Sequence, residues 1–199
     1  MGVITYGARE LADVHELRIE KEVDLTVLVR RHEFPLDTSR DIAWIGGEHH
    51  DNVEAARDAP YGYAVVTDGF AWIDGLVMEC PDWTLTHELG HAFGAYHVED
   101  EGRLLVFPFA HGHVDPGRFK TIMASYAQNE PVVLRFSNPR LVDCPGDRRC
   151  GIIDQADNAK TLNATRHALA SFSDVLSPAG ASDAHYPERF SAKCREHLD

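Results

Sequence analysis

The chain has little positive charge, no long apolar run and no closely spaced cysteine pair. Its longest uncharged apolar runs, residues 25–29 and 104–110, fall far short of the roughly 20 residues that span a bilayer. The chain has 19 Lys and Arg and 32 Asp and Glu, which gives a net charge of −13. This charge argues against nucleic-acid or membrane binding, because both need clustered cations. The four cysteines form no CxxC pair, so a cysteine-based zinc site is not expected.

What the chain does contain is ordinary globular composition with a surplus of histidine. Of its 199 residues, 44% are hydrophobic and 26% are charged, which excludes a disordered or fibrous protein. This length suits one domain with its own core, or two closely packed lobes. Twelve residues are histidine, the commonest metal ligand among side chains.

The cysteines and the first residues bear on where the protein works. Cys80, Cys144, Cys150 and Cys194 are compatible with two disulfides in any of three pairings, or with free thiols in a reducing compartment. Cys144 and Cys150 flank a turn-rich loop that could close on itself. Residues 1–20 are interrupted by charges and contain no apolar stretch typical of a secretory signal. We therefore expect either a mature or trimmed form, or a protein not exported by that route.

Hydrophobic periodicity and turn residues predict an α+β fold. Strands are expected at residues 2–6, 24–30, 41–45, 61–66 and 70–77, and helices at 8–20, 83–93 and 154–172. Residues 49–59 and 97–120 are polar or rich in Gly, Pro and His, so we expect irregular chain there. Asp154 is the expected N-cap of the last helix. Proline and glycine after residue 176 predict a C-terminal tail packed on the surface.

The chemistry is concentrated in residues 87–97, HELGHAFGAYH. On a helix, His87 and His91 face the same side and can bind one zinc ion. Glu88 beside them can act as general base, taking a proton from a zinc-bound water and returning it to a leaving amine. Gly94 lets the helix stop and the chain turn back, which would bring His97 to the metal as third ligand. Three imidazoles leave one position for water, as in catalytic sites.

The five fixed positions make this pattern specific, since chance would produce it in roughly two of ten thousand such chains. The alternative is a helix with two surface histidines and a glycine cap. His111 and His113 form a second pair. They could hold another metal, although a role as polar loop residues lining the cleft is favoured.

Residues 87–97 resemble the extended zinc signature of the metzincin metalloendopeptidases. Residues 120–126 resemble the Met-turn of that family, in which Met123 would pack beneath the zinc site. Weaker similarities at 110–114 and 136–139 point to the reprolysin-like branch and its bacterial relatives, including peptidyl-Asp metallopeptidases. The resemblance covers about residues 60–173.

This resemblance implies a metzincin-like α+β fold within a catalytic domain of residues 1–176. An upper lobe, about 1–97, would hold a twisted mixed sheet and the active-site helix. A smaller, irregular lower lobe, about 98–176, would end in a C-terminal helix, and 177–199 would form the tail. A peptide substrate would add to an edge strand within 61–66.

The resemblance also implies a secreted, zinc-dependent endopeptidase with one catalytic Zn²⁺. Its partners would be peptide or protein substrates and a propeptide or inhibitor, with no nucleic acid or membrane. Nothing in the sequence indicates a structural Ca²⁺. Two other functions stay open, a catalytically inactive zinc-binding scaffold and a zinc amidase acting on a non-protein substrate. The presence of Glu88 favours the peptidase, because inactive forms usually lack the general base.

The chain departs from the family pattern at two positions. Val98 follows the third histidine, where many reprolysin-type enzymes have Asp. Tyr126 lies three residues after Met123, whereas astacin-like enzymes have a tyrosine two residues after the Met. Tyr126 is therefore a candidate transition-state contact or a packing residue. Arg135 is the single cation among residues 131–139, and is either a contact for an acidic substrate residue or a solvent-facing side chain.

Overall fold

The computed structural model describes residues 11, 13–31, 41–68, 70–73, 76–79, 82–98, 105–124 and 130–176. The predicted strand at 2–6, Tyr126, Cys80, Cys194 and the tail lie outside these residues. In chain order the elements are α1 (Val14–Glu20), β1 (Thr26–Arg31), β2 (Ile42–Ala43), α2 (Ala55–Asp58), a 3₁₀ turn (Ala59–Tyr61), β3 (Tyr63–Asp68), β4 (Phe70–Ile73), β5 (Leu76–Glu79), α3 (Thr84–Ala92), β6 (Val114–Asp115), β7 (Phe119–Thr121), β8 (Val132–Val133), α4 (Asn158–Leu169) and α5 (Phe172–Val175). The predicted α+β class is confirmed.

Strand β3 lies at the centre of a three-stranded mixed sheet with the order β1-β3-β2. It runs parallel to β1 and antiparallel to β2. The expectation that residues 61–66 form the edge strand is therefore wrong. The physical reason is that β3 pairs with β1 along its length and with β2 at Ala64 and Val65. Residues Tyr63, Ala64, Val65 and Val66 are also all buried. A continuous buried run is typical of a strand covered on both faces.

Three other local predictions are corrected. Residues 49–59 are not irregular throughout, since α2 and the start of the 3₁₀ turn lie there. Residues 70–77 do not form one strand, because β4 and β5 pair as an antiparallel hairpin. Asp157, not Asp154, caps the last helix, since its carboxylate accepts a hydrogen bond from the Lys160 amide at 2.9 Å. Asp154 instead has a positive φ of 58°, so it lies in a turn before the helix.

Helix α3 packs against β2 and β3 on one side, while its C-terminal end meets the main core cluster. That cluster comprises Ile45, Val53, Ala59, Ala92, Tyr96, Val106, Ala110, Leu169 and Phe172. It joins the end of α3 to α4 and α5, so the sheet and the two C-terminal helices support α3. Within the part of the chain that the structure describes, no helix is long and apolar enough to cross a bilayer.

A second, smaller cluster surrounds a disulfide in the loop before α4. Cys144 and Cys150 are bonded to each other and buried beside Phe119. This pair closes the turn-rich loop that the sequence identified as able to close on itself. The cross-link fixes the chain that leads from β8 towards α4.

Candidate metal centre

Helix α3 presents His87 and His91 on one buried face. The helix ends at Ala92, and Gly94 follows with a φ of +85°. The Gly94 amide bonds the His91 carbonyl at 2.8 Å and the Ala95 amide bonds the Gly90 carbonyl at 2.9 Å, a closure typical of a glycine C-cap. A Cβ at Gly94 would lie 2.9 Å from the Gly46 carbonyl oxygen. Glycine is therefore required both for the backbone conformation and for the space.

This turn brings the third imidazole back to the first two. The Nε2 atom of His97 lies 3.0 Å from Nε2 of His87 and 3.2 Å from Nε2 of His91. His87 and His91 are almost completely buried and His97 is partly buried. The three side chains are the one group of possible metal ligands that the described residues bring together.

Main-chain carbonyls set the tautomers of the two helical histidines. Nδ1 of His87 donates to the Ile122 carbonyl at 2.8 Å, and Nδ1 of His91 donates to the Ala95 carbonyl at 2.8 Å. A carbonyl can only accept, so the proton is on Nδ1 and the Nε2 lone pair faces the other imidazoles. Burial, reinforced by the neighbouring His91, lowers the pKa of His87 to about 3. The bond from Nδ1 to a carbonyl and the lowered pKa both favour the neutral imidazole, the form that binds metal.

These residues fit a tetrahedral zinc ion. Atoms that each lie about 2.0–2.1 Å from such an ion are about 3.3 Å apart, close to the two Nε2 separations above. Imidazole suits Zn, Cu, Fe and Ni. Lone pairs that converge so closely repel one another, and a cation between them removes that repulsion. The group of three histidines can therefore hold a metal ion.

Glu88 lies next to His87 and is buried. The main chain of Ala43, on strand β2, hydrogen-bonds its carboxylate. Its Oε2 atom is buried and has no hydrogen-bond partner among the described residues. Burial, together with the nearby Asp41, raises the pKa of Glu88 well above its ordinary value. Such an unsatisfied buried oxygen is costly and calls for a functional explanation.

Met123 lies against the same helix. It is fully buried, in a cluster with Ala95 and Ile122. A Cβ on Gly90, inside the motif, would lie 2.6 Å from the Met123 sulfur. Gly90 is therefore small because Met123 occupies that space.

Two contributions to the site were not predicted from the sequence. The proximity of buried Asp41 to Glu88 carries no sequence signal, because 47 positions of chain separate them. The contact of His111 with the chain at His97, where its Nδ1 donates to the His97 carbonyl at 2.7 Å, was missed although His111 itself was noticed. Arg135 forms an ion pair with exposed Asp143, and its contact with a substrate stays a prediction.

Comparison with known proteins agrees with this geometry. A sequence profile described as "Metallo-peptidase family M12B Reprolysin-like" matches residues 5–156. No curated protein sequence matches the chain. A solved chain from "Structure of a chaperone-substrate complex" has a TM-score of 0.53 and 19% identity over 84% of this chain. This chain spans 23% of that chain, and the likeness shows the fold alone. The metzincin resemblance is confirmed, and the chain belongs to the reprolysin-like metallo-peptidase family M12B.

Proposed function

We propose that the protein is a zinc-dependent endopeptidase in which His87, His91 and His97 bind the metal and Glu88 is the general base. One observation carries the proposal. Three imidazole Nε2 atoms converge within a buried site. The residue that follows His87 on α3, Glu88, has a buried carboxylate oxygen without a hydrogen-bond partner among the described residues. A structural site would use a fourth protein ligand and would not need that carboxylate.

A bound Zn²⁺ supplies Lewis-acid polarisation of a carbonyl and lowers the pKa of water. The chain itself supplies binding, orientation and proton transfer. Ile122 and Ala95 hold the two helical imidazoles in place through their carbonyls. Oε2 of Glu88 takes the proton from the attacking water and delivers it to the leaving amine. The bond from Ala43 keeps the carboxylate from rotating away.

The substrate adds to the outer edge of β2. Strand β3 has β1 on one side and, at Ala64 and Val65, β2 on the other, so this stretch has no open edge. Among the described residues β2 pairs with β3 alone. Ala43 on this strand also contacts Glu88, so a peptide along β2 passes beside the general base.

The proposal also covers the domain bounds, the role of Met123 and the location of the protein. We assign the catalytic domain to residues 1–176, with the site between an upper lobe of about 1–97 and a lower lobe of about 98–176. Met123 is the floor of the site, joining the lobes through its contact with Gly90. The Cys144–Cys150 disulfide is typical of proteins in oxidising compartments, which supports an extracellular location.

The test is digestion of a peptide library and of a denatured protein by the full chain, read by mass spectrometry. We expect cleavage of internal bonds that stops on chelation and returns with zinc. The Glu88→Gln variant is the matched control, because it keeps the metal ligands. Turnover of small amides without internal peptide cleavage would indicate an amidase. Zinc binding without any hydrolysis would indicate a scaffold.

The same library tests Arg135. If Arg135 receives an acidic substrate residue, Arg135→Ala removes any preference for Asp or Glu after the scissile bond. An unchanged profile would leave Arg135 as a surface partner of Asp143.

A further inference from the structure

The backbone of the third histidine depends on tertiary contacts, whereas helix α3 sets the backbone of the first two. His87 and His91 are fixed by α3, whereas His97 lies beyond the helix in the segment that follows Gly94. This segment pairs with residues 110–112. The Tyr96 amide donates to the Ala110 carbonyl at 2.7 Å, and the Gly112 amide donates to the Tyr96 carbonyl at 2.9 Å. The loop at 110–112 therefore sets the path of the chain just before His97.

The side chain of His111 extends this pairing to His97 itself. Its Nδ1 donates to the His97 carbonyl oxygen at 2.7 Å. A carbonyl only accepts, so the proton must be on Nδ1 of His111. The bond acts on the main chain of the third imidazole, and it restrains the backbone from which that side chain reaches the site.

His111 is held in turn by the start of α4. The Ser137 hydroxyl donates to the His111 carbonyl at 2.6 Å. The side-chain amide of Asn158 donates to the Ala110 carbonyl at 2.8 Å. The main-chain N–H of Asn158 donates to the Ser137 hydroxyl oxygen at 2.8 Å. Ser137 and Asn158 are completely buried. Rigid, buried partners on both sides mean that His111 has little freedom to release His97.

We propose that His111 is a positioning residue that holds His97 in place for metal binding. The inference rests on the proposed function, because it takes the three histidines to be the ligands. Hydrogen bonds behind a metal ligand orient it, and their loss typically costs about 10–100-fold in metal affinity. His111 holds the main chain and not the ring of His97. We therefore expect its loss to weaken metal binding by about tenfold, the lower end of that range.

His113 provides a matched control on the same loop. It is partly buried, its amide bonds the Thr121 hydroxyl at 2.8 Å, and its ring packs edge-on against Phe119 with centroids 5.6 Å apart. Burial lowers the pKa of His113. Removing either imidazole thus disturbs the same loop, but removing that of His111 alone breaks the bond to His97.

The experiment measures zinc affinity of the full chain by competition with a chromophoric chelator, and thermal stability of the metal-free protein. His111→Leu removes the donor. His111→Asn keeps an N–H at the position of Nδ1. His113→Leu is the control. We expect His111→Leu to bind zinc about tenfold more weakly than wild type, and both His111→Asn and His113→Leu to stay within about threefold of it, a difference below that range.

The visible spectrum of the Co²⁺-substituted protein gives a second readout, and it should change in His111→Leu alone. Equal zinc affinity in His111→Leu and His113→Leu would overturn the proposal. A His111→Asn variant that binds zinc as weakly as His111→Leu would overturn it too. If His111→Leu does not fold, His111→Gln takes its place, because its amide N–H lies nearer the position of Nε2 and not that of Nδ1, and unchanged affinity there overturns the proposal. A wild-type chain that binds no zinc would refute the proposed function itself.

Discussion

Helices α3 and α4 both bury polar side chains, yet they use them differently. In α4 the buried polar residues are Asn158, Thr161 and Thr165. Asn158 bonds the Ala110 carbonyl and Ser137, and Thr165 donates to the Phe93 carbonyl at 2.9 Å. Thr161 bonds back to the Asp157 carbonyl. Each of these three side chains has a hydrogen-bond partner within the protein.

In α3 the buried polar residues of the zinc-type motif are His87, Glu88 and His91. The Nδ1 atoms are bonded, but the Nε2 atoms converge on one another and Oε2 of Glu88 has no partner in the described structure. Burying a polar group without a partner costs free energy. The converging imidazoles and the buried Glu88 oxygen therefore set α3 apart from α4, as the proposed function requires.

The largest expected effect comes from Glu88→Gln. The amide is nearly isosteric but cannot shuttle a proton, so kcat should fall by about 10²–10⁴ or more. Steady-state hydrolysis of a fluorogenic peptide measures this, and elemental analysis should still find one zinc per chain. Near-normal turnover would break the distinction between the helices, since the unsatisfied group of α3 would then have no catalytic role.

Metal removal should act next most strongly, on stability. An ion that binds only the folded state at 1,000 times its Kd stabilises it by about 4 kcal/mol. We expect dialysis against a chelator to lower the melting temperature and zinc to restore it, in wild type and Glu88→Gln alike. A melting temperature that does not change when zinc is removed or added would mean that the three histidines are not ligands.

Met123 sharpens the comparison, because it packs against α3 without being part of its polar face. Met123→Ala opens a cavity at a fully buried site, so we expect a loss of about 2–5 kcal/mol. Met123→Leu conserves volume and should cost less than about 1.5 kcal/mol. Urea unfolding measures both values, and both variants should keep zinc. A folded Met123→Leu protein without zinc would show that the sulfur is a ligand.

The smallest effect belongs to α4. Thr165→Val leaves the partly buried Phe93 carbonyl without the hydroxyl that now bonds it, which should cost about 1 kcal/mol of stability, the lower end of the usual range. Zinc affinity and kcat should not change. Asn163→Ala, on the exposed side of the same helix, is the control and should stay within about 0.5 kcal/mol. A drop in kcat for Thr165→Val at normal zinc content would give α4 a catalytic role.

The sequence was sufficient for the parts of the site that depend on local spacing. His91 follows His87 by four positions, so any helix there puts them on one face. Gly94 allows the left-handed turn that returns the chain to His97. The site helix was expected at 83–93 and lies at Thr84–Ala92. These features rest on bonds between near neighbours, which the same residues make in almost any tertiary context.

The tertiary structure decided the rest. Strand β3 is central because β1 and β2 both pair with it, and a strand's neighbours cannot be read from its own residues. The His87 tautomer is set by a carbonyl 35 positions away. The main chain of His97 is held by the side chain of His111, 14 positions away. Asp157 caps α4 although Asp154 carries the same carboxylate, because the turn between them places only Asp157 at the helix start. Local periodicity holds no information on such contacts, since they form only when distant segments pack together.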